Sequence, residues 1–422
     1  MKKESLQEKL AKRKIKRPSR ILYLLLGYLW KALYQKRLNV HFEKKIDIKK
    51  LKGPFIVISN HASRLDYIYT GIPFLPHRMN YVAGYNEFFR SHLAFIFKLL
   101  QIIPKKNFTP DINTIKQIAR ILRKKGKVVV FPEGMSSISG TNQPSAIGSG
   151  KLLKHFKVPV YICKIAGGYL TNTKYCLDER RGKVEVTIDQ LFNKEDLETM
   201  SEEQIQLAID KAIAHNDYEW NKTAKIAYKA NGRIAHHLHD LLYWCPKCHH
   251  EFHMEGKEDT IICHHCNNGA MLDEYYQFHP LRADCVIPDT PVEWIKQERE
   301  LVKEQILDPD FQLEEHVKLG ILPSDHLLND LKTSEIVGEG ILKLDRTGLS
   351  FDGVKNNEPY HFHMDSNHLP TYGMCIDVTF FSTYYNEEYV EFFPDNSVVY
   401  KWLLATEEIH RLNGGKWKDF PK

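Results

Sequence analysis

No stretch of this 422-residue chain approaches the roughly 20 apolar residues that a membrane-spanning helix needs. The longest, Ile21 to Trp30 (ILYLLLGYLW), ends at Lys31. It is too short to cross a bilayer, and no small-x-small cleavage pattern follows it, so the segment is expected to be retained. Also missing are an internal repeat, a low-complexity tract and a Gly-x-Ser-x-Gly elbow, and without the elbow no serine nucleophile is advertised. Cysteine is scarce. Of eight, four sit in two C-x-x-C pairs, and Cys163, Cys176, Cys285 and Cys375 are scattered without a disulfide framework. That usage fits a reducing, cytoplasmic setting. Positive charge is lacking over most of the chain: the net charge is +6, yet residues 1 to 20 alone hold nine Lys or Arg against two Glu. A diffuse basic surface is therefore unsupported and no nucleic acid partner is expected, whereas a basic arm suits an anionic membrane surface.

What is present is ordinary for a globular protein, 43% hydrophobic and 27% charged, at a length that holds two or three domains. The apolar run after the arm carries Tyr23, Tyr28, Trp30 and Tyr34 among leucines, flanked by Lys and Arg. Such a segment lies in the headgroup boundary, which makes residues 1-37 a basic arm with a membrane-associating helix and predicts peripheral or monotopic attachment to the cytoplasmic face.

Between about 38 and 192, apolar strands alternate with helical stretches. Pro54 to Ser59, Lys127 to Phe131, Val158 to Ile165 and Val184 to Ile188 read as strands, and Asn86 to Leu100 and Asp111 to Lys125 as helices. The alternation predicts an α/β layer with a parallel or mixed sheet. Residues 193-243 read as a helical connector, 244-272 as a cysteine-bearing module, and Glu293 to Leu331 as helix again. From Glu335 the period changes to that of strands, with turn signals at Asp352-Gly353 and Asp395-Asn396 and strands over 341–344, 378–381 and 389–393. A helix from Lys401 to Leu412 closes the chain, so 290-422 reads as a helix plus a β-rich domain whose layout resembles a PH-like barrel.

Directly after the first strand stands Asn60-His61-Ala62-Ser63-Arg64-Leu65-Asp66. Five residues of helix turn through about 140°, so His61 and Asp66 can meet only if His61 precedes a helix that carries Asp66. The pair would then lie at the C-terminal edge of the sheet, where ligand crevices form. Asp66 would fix the ring tautomer and leave the other nitrogen free to take a proton from a hydroxyl. Phe131-Pro132-Glu133-Gly134 follows another apolar strand and would open onto the same crevice if the two strands are neighbours. Arg90 and Lys105-Lys106 are basic residues suited to holding a phosphate.

Together these blocks resemble the glycerophospholipid acyltransferase family, the enzymes that esterify 1-acylglycerol-3-phosphate. Asn60 to Asp66 is similar to the family's N-H-x-S-x-x-D block, Glu87 to Arg90 to its second block, Phe131 to Gly134 to its F-P-E-G block, and Val158-Pro159-Val160 to its fourth. The resemblance implies His61 as general base and Asp66 as its orienting partner. It also implies substrate-binding residues Asn60, Ser63, Arg64, Arg90, Lys105, Glu133, Gly134 and Ser136. The expected reaction moves an acyl chain from a thioester, acyl-CoA or acyl carrier protein, to a membrane lipid acceptor in phospholipid synthesis. The chain departs from the family at Met135-Ser136, where Thr-Arg is usual, and at Pro104-Lys105-Lys106, where an aromatic-Asp-Arg is usual. These departures bear on acceptor identity, so another lysophospholipid, glycerol phosphate or other hydroxyl is the alternative. A competitor of another class is a catalytically silent membrane-recruited scaffold that binds a partner through its later domains.

Cys245-Pro246-Lys247-Cys248 is followed by Cys263-His264-His265-Cys266. Two such knuckles, without a disulfide context, predict a tetrahedral Zn site of zinc ribbon type held by Cys245, Cys248, Cys263 and Cys266. Four thiolates leave no open position, so the ion is expected to be structural. Crowding histidines leave open the replacement of one cysteine by His.

Overall fold

The computed structural model describes residues 4–109, 111–143, 145–329 and 332–415. The first three residues of the basic arm, Leu331 and the last seven residues of the expected C-terminal domain lie outside them. The arm begins with α1 (Leu6–Lys12), closed by a reciprocal capping box between Ser5 and Glu8. It is fastened to the body: Leu10 and Ile15 are buried, the Ile15 amide donates to Gln117 Oε1 at 3.1 Å, and Arg13 donates to the carbonyls of Phe97 and Lys98. Next comes α2 (Arg20–Arg37), with the apolar run on it.

The first sheet has seven strands: β1 (Val40–Lys44), β2 (Phe55–Ser59), β3 (Met79–Gly84), β4 (Ile103–Lys105), β5 (Lys127–Val130), β6 (Val160–Ala166) and β7 (Val184–Phe192). Their spatial order is β1-β7-β6-β2-β5-β3-β4. β6, β2, β5, β3 and β4 run parallel, and β7 turns back antiparallel to β6 with β1 parallel beside it. Every residue of β2 is buried, as a central strand covered on both faces must be. Around the sheet lie α3 (Asp66–Gly71), α4 (Ser91–Leu99), α5 (Ile112–Arg123), α6 (Ser149–Phe156) and α7 (Gly168–Thr171). α5 is the expected helix, with the Asp111 carboxylate capping the Thr114 amide at 3.0 Å. The helix expected over Asn86 to Leu100 splits into a 3-10 turn, Tyr85–Phe89, and α4, because Arg90 between them is extended at φ −79°, ψ 121°.

The expected connector holds α8 (Lys194–Thr199), α9 (Glu202–Ile213) and α10 (Asp217–Ala224). Helix does not run on to residue 243. Lys225 turns left-handed at φ 51°, and the chain then lies against the next module, with the Ala235 and His237 amides donating to Glu258 and Gly256. That module is an antiparallel meander of β8 (Met254–Lys257), β9 (Thr260–Cys263), β10 (Gly269–Leu272) and β11 (Phe278–Pro280).

Helix resumes in α11 (Pro291–Gln305) but stops well before Leu331. Residues Gln312–Ile321 instead form β12, the middle strand of a second, antiparallel sheet, because pairing to strands on both sides outweighs a charged sequence with weak strand character. The sheet continues with β13 (Glu335–Asp345), β14 (Gly348–Lys355), β15 (Glu358–Asp365), β16 (Gly373–Met374), β17 (Phe381–Tyr385) and β18 (Glu388–Pro394), in the order β15-β14-β13-β12-β18-β17-β16. Asp352-Gly353 is not a turn. It lies inside β14, and the hairpin turns at Asn356-Asn357, both at left-handed φ (55° and 66°). The strand expected over 378–381 begins only at Phe381. α12 (Val399–Leu412), the expected closing helix, is buried along most of its length. One apolar cluster runs from Tyr169 and Leu170 through Trp244 and Trp294 to Phe351 and Trp402 and so draws on all three parts, while the two faces of the first sheet pack in two further clusters.

Candidate active site at the sheet edge

Four adjacent parallel strands, β6, β2, β5 and β3, end on the same edge of the first sheet, and each releases a loop there. β2 leads to His61–Asp66, β5 to Phe131–Ser137, β3 to Glu87–Arg90 and β6 to a loop that reaches Lys174. This edge, at the carboxyl ends of parallel strands, is the usual place for a ligand crevice. The β2–β5 pairing thus brings the two strongest sequence motifs side by side.

His61 sits in the turn before α3 and Asp66 is the first residue of that helix, so the five-residue separation closes as the sequence required. His61 Nδ1 and Asp66 Oδ2 are 2.7 Å apart; the ring is 24% exposed and the carboxylate 1%. Asp66 Oδ1 accepts from the Ser63 amide at 3.0 Å and from its hydroxyl at 3.2 Å. Burial pushes the Asp66 carboxyl above its usual range, against the opposing pull of His61 and Ser63. The ring stacks on Phe131, centroids 4.5 Å apart. Nδ1 is therefore committed to Asp66, and Nε2 has no hydrogen-bond partner among the described residues.

Glu133 acts as a bracket between loops. One carboxylate oxygen accepts from the His61 amide at 2.6 Å, the other from the Gln143 amide, and the Ser137 amide donates to the His61 carbonyl at 2.7 Å. Burial raises this carboxyl well above its ordinary range while the two amides draw it down. Gly134 holds φ +73°, the left-handed turn that lets the chain leave β5 this sharply. Asn60 is also a brace: its side chain donates to the Ile165 carbonyl at 2.9 Å and accepts from the Ile165 amide at 2.8 Å, extending the β2–β6 ladder.

The basic residues differ in availability. Arg90 pairs with Glu87 at 3.3 Å. Arg64 donates to the Leu177 carbonyl at 2.5 Å, with its other terminal nitrogen buried and unbonded. Lys105, at the end of β4, donates to the Lys106 carbonyl at 3.3 Å, and burial lowers its pKa. Lys106 reaches the Glu387 carbonyl at 3.1 Å between the rings of Tyr85 and Tyr384. Ser136 Oγ accepts from Lys174 Nζ at 3.3 Å.

Lys174 was not visible in the sequence, since Thr171-Asn172-Thr173-Lys174 carries no motif. Neither was a second pair, His215 and Asp217, which sits beside a small cavity that His61 and Glu133 also line. His215 Nε2 lies 2.7 Å from Asp217 Oδ1, and the same carboxylate accepts from the amides of Gly167 (2.7 Å) and Tyr169 (2.8 Å). A His-x-Asp signal existed there, but a two-residue spacing in a polar segment is too common to mark.

Away from this edge, the sulfur atoms of Cys245, Cys248, Cys263 and Cys266 lie within 4.8 Å of one another. Two of the spacings are 3.6 and 3.7 Å. A tetrahedron with Zn–S bonds of about 2.3 Å has sulfur separations of about 3.8 Å, so the donor set fits that ion. His249 and Asn267, each directly after the second cysteine of a knuckle, are left-handed at φ 63° and 57°. All four cysteines converge, so the cluster needs no histidine.

Residues 37–166 match the family model described as Acyltransferase. Among solved structures, the chain is similar to the 1-acyl-sn-glycerophosphate (LPA) acyltransferase PlsC from Thermotoga maritima. The identity is 18% and the TM-score 0.40, over 49% of this chain and 81% of that one.

Proposed function

We propose that this chain, whose residues 37–166 match the Acyltransferase family model, moves a fatty acyl group from a thioester to the hydroxyl of 1-acylglycerol-3-phosphate. The observation that carries the reading is the His61–Asp66 pair at 2.7 Å, with Nε2 left free at the parallel-strand edge. Nε2 takes the proton as the acceptor oxygen attacks the thioester carbonyl. The C–S bond breaks, and the imidazolium returns its proton to the departing thiolate. Asp66 holds the tautomer and balances the ring's charge. For the oxyanion, the amides of His61, Ser63, Gly134 and Ser137 already donate within the protein. Among the described residues of these two loops, Ala62, Met135 and Ser136 keep amides that can serve.

The site works at an anionic membrane surface in this proposal. Supporting it, Ile21, Leu22, Leu25, Tyr28, Leu29 and Leu33 form an exposed stripe on α2, with Ile21 80% exposed and Lys31, Lys36 and Arg37 at hand. Trp30 packs edge-on against Tyr67, next to Asp66, which ties α2 to the site. No described helix is long and apolar enough to cross a membrane. The four-cysteine cluster would hold one zinc ion as a structural tie. Metal analysis of the purified protein should return one zinc per chain, and none would remove the assignment.

The deciding experiment is transfer from a labelled thioester, acyl-CoA or acyl carrier protein, to 1-acylglycerol-3-phosphate on anionic vesicles. Turnover by the intact chain and a loss of about 10²- to 10⁴-fold in a folded H61A variant are expected. A fully active, folded H61A would sink His61 as the base. No transfer to any hydroxyl acceptor would favour a scaffold.

A further inference from the structure

Lys174 is a buried ammonium with no counterion among the described residues. Its residue is only 6% exposed, its one hydrogen bond goes to the neutral hydroxyl of Ser136, and among the described residues no carboxylate oxygen comes within 4.0 Å of it. The acidic groups facing it are engaged elsewhere. Glu87 is paired with Arg90, and the Asp377 carboxylate accepts from Thr379 Oγ1 at 2.8 Å and Cys375 Sγ at 3.4 Å. Burying an unpaired charge is costly, and proteins ordinarily pair it or let it lose its proton. Burial does lower this lysine's pKa, to about 8, with Cys375, Glu87 and Asp377 pulling the other way.

The setting supplies a use for that charge. Lys174 lies just after α7, the short helix that follows β6, Ser136 is in the loop after β5, and the Ser137 amide binds the His61 carbonyl, so the ammonium stands at the same edge as the proposed base. The second sheet closes the far side. The Asp377 amide donates to the Lys174 carbonyl at 2.7 Å, and the Met374 amide to Met135 Sδ at 3.4 Å.

We propose that Lys174 is an anion-binding residue that takes the phosphate monoester of the lipid acceptor beside Ser136, with the C-terminal sheet as the outer wall of that subsite. The inference rests on the acyl-transfer reading and names which group of the acceptor is held, and by what. The cation comes from a loop outside the sequence blocks and so makes good the plain hydroxyl at 136.

The test compares 1-acylglycerol-3-phosphate with monoacylglycerol, which has the same acyl chain and no phosphate, as acceptors for the full-length chain on vesicles. K174Q should raise KM for the phosphate acceptor about ten- to a hundredfold, the range for a charge-assisted hydrogen bond. It should leave KM for monoacylglycerol and for the thioester within about twofold. S136D sets a carboxylate against the ammonium without altering Lys174 and should shift the same KM in the same direction, so the test survives if K174Q does not fold. K174R should recover part of the loss. Equal losses on both acceptors would make Lys174 structural and overturn the proposal. A change confined to KM for the thioester would place the donor's phosphates there instead, and inhibition by inorganic phosphate that K174Q leaves intact would mean a free anion binds elsewhere; either overturns it. Absence of transfer by the unmodified chain to any acceptor is a distinct result. It removes the acyl-transfer reading, and this inference falls with it.

Discussion

Two histidine–aspartate pairs share the same 2.7 Å contact, with both histidines lining one cavity, and they are built for different ends. At His61–Asp66 the carboxylate is bound, among the described residues, only by its own turn, Ser63 and the ring, and the ring is the more exposed of the two histidines. At His215–Asp217 the carboxylate also grips the amides of Gly167 and Tyr169, while the His215 backbone exchanges bonds with Asn142 in both directions. The second pair fastens α10 to the loop that leads from β6 toward Lys174. A histidine next to an aspartate is thus not a site in itself. What distinguishes the pairs is what else the carboxylate holds.

The largest expected difference is in turnover. D66N should lower kcat about 10²- to 10⁴-fold by releasing the tautomer of His61, with little change in the unfolding midpoint. D217A should do the reverse. It leaves two buried amides unpaired, which costs about 2–4 kcal/mol in urea unfolding, while kcat stays within about tenfold. H215A should cost about 1 kcal/mol, since the carboxylate keeps both amides. An H215A protein as inactive as H61A would erase the comparison by giving both histidines a part in the chemistry.

A smaller effect at the first pair depends on pH. Burial raises the Asp66 carboxyl, so the folded chain holds that proton more tightly than the unfolded chain does. Wild-type stability should therefore fall as pH climbs from the ordinary aspartate value of 3.8 through the raised folded value. D66N has no proton to lose there, so the stability difference should move in its favour across that window. Parallel curves for the two proteins from pH 4 to pH 7 would show that this carboxylate is not disfavoured by burial.

The sequence disclosed His61–Asp66 and Phe131–Gly134 because each lies within one loop directly after an apolar strand. Local chain carries the whole signal. It also disclosed the cysteine cluster, whose knuckles are local and whose pairing needs only one short meander. Elsewhere, contacts between distant segments decide. β12 reads as a continuation of helix, and it becomes a strand only through partners on either side. Lys174 meets Ser136 and Asp377 across 38 and 203 residues, so no window could reveal it. Asn60 and Glu133 stand out as motif residues, yet their side chains hold backbone: β6 for the first, two loops for the second.

The C-terminal sheet's grip on Met135, Lys174 and Lys106 bears on how the protein is made. During synthesis the first domain emerges and can begin to fold with its sheet edge unwalled, and residues 374–387, which emerge well after it, supply those contacts later. A nascent chain stalled before that point would carry His61 and Asp66 but an open edge at Lys174. The order of emergence from the ribosome therefore sets the outer wall of the edge in place after the His61–Asp66 pair.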